Sequence, residues 1–206
     1  MRRPLLRLCL AGALALGLSG CISLLPKTKP AQLYRFTAPA AGAAETAHPA
    51  DTVGVFQSSG EFQRESAGDR ILTVSGPKVA YIAGVRWAAP AQVLFDEAMD
   101  AAFETAGGRV RLVPRGAPAA TDYMLRIDVR NFEARYESGP KSAQTVVVHI
   151  HALMSRDRSR ALVSEQMFEA QVVASDNRVS AIVAAYAKAT DEVLRQLVAW
   201  SNKNVG

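Results

Sequence analysis

Apolar and polar positions alternate in two rhythms along most of this chain, and the rhythm at each point predicts the element. Residues 52–56 and 70–74 are short strand-like runs between Gly- and Ser-rich turns, and residues 78–87 form a third that stops before Pro90. A helix is expected over 90–106. Proline suits its first turn, where the missing N–H has no helical partner, and Gly107-Gly108 ends it. Residues 109–113 give the strand that follows. Tyr123, Leu125, Ile127 and Val129 then alternate strictly, but Phe132, Ala134 and Tyr136 resume on the opposite parity. Side chains in a strand point to alternate faces, so the slip predicts a β-bulge near Arg130-Asn131. Residues 144–154 and 161–174 complete an antiparallel meander, joined through Ser138-Gly139-Pro140 and the charged turn at 155–160.

The last rhythm is the clearest. Val179, Ile182, Val183, Tyr186, Val193, Leu194 and Leu197 recur at the spacing of one buried helix face, with Ser175 or Asp176 available as a cap. Strands, helix, strands, helix is the order of an α+β domain: a mostly antiparallel sheet with two main helices packed on it. The other face of such a sheet is either wet or covered by a neighbouring subunit.

Upstream the pattern is different. Arg2, Arg3 and Arg7 precede an apolar stretch over 8–18, closed by Leu18, Ser19, Gly20 and Cys21. A basic start, a short apolar run and small residues before a cut make a secretory signal, and the run is too short for a bilayer, which needs about 20 apolar residues. Leu18-Ser19-Gly20-Cys21 resembles the bacterial lipobox, in which the cysteine thiol is lipidated and becomes the new N-terminus. The expected organisation is a lipoprotein signal peptide over 1–20, a lipidated N-terminus and flexible tether over 21–50, and a single α+β domain over 51–206. The tether reading rests on an Ala-, Pro- and Thr-rich composition that buries little. Within it, Leu33 to Phe36 alternates and reads as a short strand docked on the domain. Ile22 rather than Asp after the cysteine favours the outer membrane, on its periplasmic face.

Cleavage changes the charge and cysteine arguments. Net charge falls from +5 to +2, because the three lost arginines have no acidic counterpart, so the high pI does not point to nucleic acid. Cys9 leaves with the signal and Cys21 carries lipid, so no thiol remains as a nucleophile or for a disulfide. There is no Gly-x-x-x-x-Gly-Lys-Ser/Thr run and no Gly-x-Ser-x-Gly elbow, and nothing in the sequence asks for an enzyme or a cofactor. His149 and His151 share one strand face but lack an obvious third ligand, so no metal site is expected. Asp96, Glu97, Asp100 and Glu104 read as a solvated helix face. Trp87 and Trp200 read first as residues closing the edge of the core. The competing reading makes Arg86 and Trp87 a partner interface, since Trp and Arg are enriched in binding hot spots. Arg86 is expected to pair with an acid on the helix.

Tyr81-Ile82-Ala83-Gly84-Val85-Arg86-Trp87 running into a helix ending Ala102-Phe103-Glu104 resembles the middle of the ABC-type transport auxiliary lipoproteins. Asp122-Tyr123-Met124-Leu125-Arg126-Ile127, Phe132-Glu133-Ala134, Phe168-Glu169-Ala170 and an Ala-rich helix ending at Trp200 follow in the same order. PqiC of the paraquat-inducible system is a more distant relative. The resemblance implies a lipid-anchored periplasmic component that serves an Mce-type transporter with a separate permease and ATPase, moving lipids or other hydrophobic molecules. It would act by docking that transporter at the outer membrane, as a monomer or a homo-oligomer. The alternative is a periplasmic carrier that binds one lipid in an apolar groove between helices and sheet. Residues 57–69 depart from the family pattern: the segment is polar and rich in Gly and Ser, where relatives have Leu and Pro.

Overall fold

The computed structural model describes residues 30–36 and 51–206, apart from 115, 118 and 140. The expected signal peptide and lipobox, Cys21 and most of the expected tether therefore lie outside the described residues. The described residues from Ala31 onward form one compact unit. Its strands are β1 (Gln32–Tyr34), β2 (Val53–Gln57), β3 (Leu72–Ser75), β4 (Lys78–Tyr81), β5 (Val85–Trp87), β6 (Val110–Val113), β7 (Tyr123–Arg135), β8 (Thr145–Arg156) and β9 (Leu162–Val173). The helices are α1 (Ala91–Ala106) and α2 (Val179–Asn204). The α+β class holds, with antiparallel pairs predominating in a mixed sheet.

The long meander β7–β8–β9 is antiparallel throughout. The expected bulge is present, as a register shift between Val129 and Asn131. It moves the apolar set from odd to even numbers, so Val129 and Phe132 both reach the helix side.

The remaining strands are partly parallel, which alternation alone does not reveal. β2 lies between β6 and the start of β7, parallel to both, and β3 runs parallel to the end of β7. The run at 78–87 is two strands rather than one. β4 turns back on β3 through the Gly76-Pro77 hairpin and ends at Tyr81. Gly84, at φ 69°, then redirects the chain. β5 leaves the main sheet and pairs in parallel with β1. The short strand read at Leu33 to Phe36 is thus real, and Phe36 behind it is 2% exposed.

Helix α1 buries Leu94, Phe95, Ala98, Met99 and Phe103, at roughly 1.5–3 kcal/mol for each large side chain. No side chain caps its start. The Ala91 and Gln92 N–H groups donate to the carbonyls of Gly68 and Ala67 instead, at 2.9 and 3.3 Å. Gly107 ends it in the left-handed region, as its lack of a Cβ allows. The capping reading for α2 is corrected: Arg178 occupies the cap position, and no side chain bonds the first turn. Asp176 instead accepts the Arg178 N–H at 2.7 Å and grips its guanidinium.

Both helices cover one face of the sheet, and the space between is filled. Phe132 is the centre of that packing, with the rings of Phe36, Phe62, Phe95, Trp87 and Tyr186 at 4.8–6.4 Å between centroids. At the far end Phe168 packs edge-on against Trp200 at 5.8 Å.

The polar segment between β2 and β3 fills a gap. β7 is 13 residues long, yet β2 pairs only with Tyr123 to Leu125 and β3 only with Ala134 and Arg135. Residues 58–63 bond the stretch between. Ser58 N–H donates to Leu125 O at 2.9 Å, Val129 N–H to Glu61 O at 2.7 Å, and Gln63 N–H to Val129 O at 2.8 Å. The Gln63 side chain continues the ladder, its Oε1 accepting the Phe132 N–H at 2.9 Å. A run of Gly, Ser and Gln suits this splint, since backbone and side chain both serve as strand-like partners.

Candidate functional site

The face of β7–β8–β9 away from the helices carries a second, polar pattern. On β7 it presents Arg126 and Asp128 before the bulge and Asn131, Glu133 and Arg135 after it; β8 adds His149 and His151; β9 adds Glu165, Met167 and Glu169.

The β7 acids are buried but satisfied. Asp128 is 4% exposed and its Oδ1 accepts the Glu61 N–H and Arg126 Nε–H, each at 2.9 Å, with Arg130 at 3.4 Å from Oδ2. Glu133 accepts Arg135 Nε–H at 2.8 Å and Gln63 Nε2–H at 2.9 Å. A buried carboxylate of this kind needs its partners, because removing one strands a charge.

Burial pushes the Asp128 carboxyl pKa up, but the Glu61 N–H, the Arg126 hydrogen bond and charge, and the Arg130 charge together outweigh it, and the net direction is down. A folded pKa below the unfolded value stabilises the fold above the ordinary Asp value, about 3.9, and that contribution fades as pH falls through the folded value. The stability gap between wild type and Asp128→Asn in urea melts should therefore hold steady from pH 7 to about 5 and narrow below about 4. A gap that ignores pH would remove Asp128 from the acid limb.

His149 and His151 share the face expected of them. His149 Nδ1 lies 3.4 Å from Asn131 Oδ1 and 3.9 Å from Glu169, and His151 Nε2 lies 3.7 Å from Glu165. Among the described residues no group of three or more His, Cys, Asp or Glu side chains is placed to hold a metal ion.

The proposed Arg86–Trp87 interface separates in the structure. Trp87 is 2% exposed and packs edge-on against Phe36 and Tyr186, so its ring offers no face to a partner. This corrects the interface reading in favour of the core one: β5 alternates, and the helix side takes the indole. Arg86 points outward, but its guanidinium holds both oxygens of Asp69, at 2.7 and 2.9 Å, in the loop before β3 rather than an acid on α1. On α1, burial and the charge of Glu104 raise the Asp100 pKa. Asp100, Glu104 and Arg111 border an open groove of about 310 Å³ with Phe103 at its base. The small cavity between the splint and α1 measures about 40 Å³.

Sequence reasoning missed the buried acids of β7. The signal was present: Arg126, Asp128 and Arg130 interleave with the apolar set, and a carboxylate between two arginines on a strand's second face marks a charge held in place. Among the described residues no helix is long and apolar enough to cross a membrane.

A sequence profile for the ABC-type transport auxiliary lipoprotein component matches residues 69–198, more than half of the chain. Among solved structures, protein XCC0632 from Xanthomonas campestris, of the DUF330 family, is 23% identical with a TM-score of 0.72, covering 84% of this chain and 96% of that one. An uncharacterized protein, 14% identical, reaches a TM-score of 0.60 over 86% of this chain and 100% of its own. The hypothetical protein CT253 from Chlamydia trachomatis, 8% identical, reaches 0.51 over 74% of this chain and 97% of that one. At these identities the likeness is one of fold. No curated protein matches the chain.

Proposed function

This chain belongs to the family of ABC-type transport auxiliary lipoprotein components, and from that premise we propose that it is the non-enzymatic, lipid-anchored docking component of an Mce-type transporter. Lipid on Cys21 holds it at the periplasmic face of the outer membrane. The sheet domain engages the Mce-domain protein, whose permease and ATPase are separate polypeptides, and the cargo is a lipid or other hydrophobic molecule.

The observation that carries docking is the division of the sheet. One face is packed by α1, α2 and an aromatic cluster, while the β7–β9 face and the β9 strand carry exposed side chains such as Glu165 and Met167. A carrier would need apolar volume between helices and sheet, and there Phe132, Trp87 and Tyr186 sit in mutual contact. That favours docking over carriage.

The test is recovery of the tagged full chain from gently solubilised envelopes, with partners identified by mass spectrometry. An Mce-domain protein with its permease and ATPase is the expected result. Their absence, where another envelope complex survives the same detergent, would defeat the transport reading. Cys21→Ser should abolish incorporation of labelled palmitate into the chain, and continued labelling would place the lipid elsewhere. A lipid kept by the protein in native mass spectrometry would restore the carrier.

A further inference from the structure

Strand β9 pairs with β8 along its length and with no other strand among the described residues. An outermost strand directs a row of backbone N–H and C=O groups away from the sheet, where they can take another strand. Proteins ordinarily guard such a row with charged side chains, lysine above all, with proline or with a bulge. From Ala161 to Asn177 this chain has no Lys, Arg or Pro. The single irregularity falls at the turn end, opposite Met154 and Ser155, and the register from Ser164 to Val173 is unbroken. The strand is open to solvent, with Met167 53% and Val173 66% exposed.

Its charge is one-sided. On the helix-free face the side chains run Glu165, Met167, Glu169, two residues apart. The β7 acids on the same face are each held by arginine, whereas the groups at ion-pair distance from Glu165 and Glu169 among the described residues are His151 and His149. Gln171 also donates to Glu169.

We propose that the free edge of β9 is a strand-addition site for an extended segment of a partner protein. That segment sets a basic side chain opposite Glu165, an apolar one opposite Met167 and a second basic one opposite Glu169. Backbone bonds supply the attraction and the alternating side chains supply the choice. A second copy of this chain fits less well. Antiparallel self-pairing centred on Met167 sets Glu165 against Glu169 twice, and centring on either glutamate sets it against itself; like charges directly opposite are unfavourable. Registers centred on Gln166 or Phe168 bring a glutamate against Met167 and supply no cation. The inference does not rest on which transporter the protein serves.

The test uses the full lipidated chain in detergent and two synthetic eleven-residue peptides, one centred on Lys-Val-Leu-Val-Lys and the other on Glu-Val-Leu-Val-Glu. Hydrogen exchange of the β9 amides is followed as each is added. The lysine peptide should slow exchange across residues 162–173 and bind at least about tenfold more tightly than its acidic counterpart, and Glu165→Lys with Glu169→Lys should reverse the order. The peptide comparison on the wild-type chain needs no variant, so it stands even where the double substitution folds poorly. Protection elsewhere, equal binding of both peptides, or no protection at all would overturn the proposal. The amides that donate to β8 are protected in any case, so the readout is the alternate, outward-facing ones. Outward-facing β9 amides already protected without peptide would also overturn the proposal: if the protection grows with protein concentration the edge belongs to a second copy, and if it does not, to another segment of this chain.

Discussion

Phe132→Ala is expected to lower the unfolding free energy by about 3–5 kcal/mol, a large part of the 5–15 kcal/mol that holds a typical domain. The ring lies directly beneath both helices. Its centroid is 4.8 Å from that of Tyr186 on α2, 5.1 Å from Phe36 behind β1, 5.6 Å from Phe62 in the splint and 6.4 Å from Phe95 on α1. With Trp87 on β5, also at 6.4 Å, truncation removes one wall from five packings at once, and the neighbours belong to elements that cannot all move inward together. Urea melts should show a lower midpoint with an unchanged slope, since the surface exposed on unfolding is nearly the same. Phe132→Leu should lose distinctly less, because it fills more of the space. A loss under about 1 kcal/mol for the alanine would mean that the cluster collapses onto the vacancy, contrary to its role as a hub.

Gly60→Ala should be almost as damaging for a different reason. A Cβ on residue 60 would lie 1.7 Å from the carbonyl oxygen of Ile127 and 2.5 Å from its carbon, both backbone atoms of β7. Neither can swing aside as a side chain would. The splint must lift away, giving up bonds such as Ser58 N–H to Leu125 O and leaving Asp128 without the Glu61 N–H. Net hydrogen bonds are each worth about 1 kcal/mol, and an acceptor stranded in a buried place costs more, so a total of about 2–4 kcal/mol is expected. The discriminating readout is local. Exchange at residues 58–66 and at the middle of β7 should accelerate well before that of α2. Uniform acceleration would mean that the splint is not a separate unit.

The meander and both helices were legible because their signals are periodic. Parity located the bulge at Arg130-Asn131 and face spacing located α2, since in each case the pattern records which side meets the core. The splint was not legible as structure. Ser58, Gly60, Glu61 and Gln63 have no period, and their work is done by backbone groups and one amide. Parallel pairing of β2 and β3 onto β7 escaped for a related reason, because strand direction leaves no trace in alternation. Arg86 and Trp87 stand at adjacent positions, so alternation already puts them on opposite faces; what it does not give is the partner of each, Asp69 for one and the aromatic core for the other. The polar pair opposite, Asp128 and Glu133, could have been singled out from the interleaved arginines, while the openness of β9 depended on knowing which strand is outermost.

The docking of β1 bears on where this protein can be cut. A soluble fragment begun at Asp51, the apparent start of the folded part, would discard β1 and take Phe36 from between Trp87 and Phe132, where the three rings lie within 6.4 Å of one another. It would also strip β5 of its partner strand and the Ala88 N–H of its acceptor on Tyr34. Such a fragment would have an internal hole and a sticky new edge, and any partner it captured or aggregate it formed would report on the cut. The useful boundary lies upstream of Gln32, so a few residues of the apparent tether are part of the folded body.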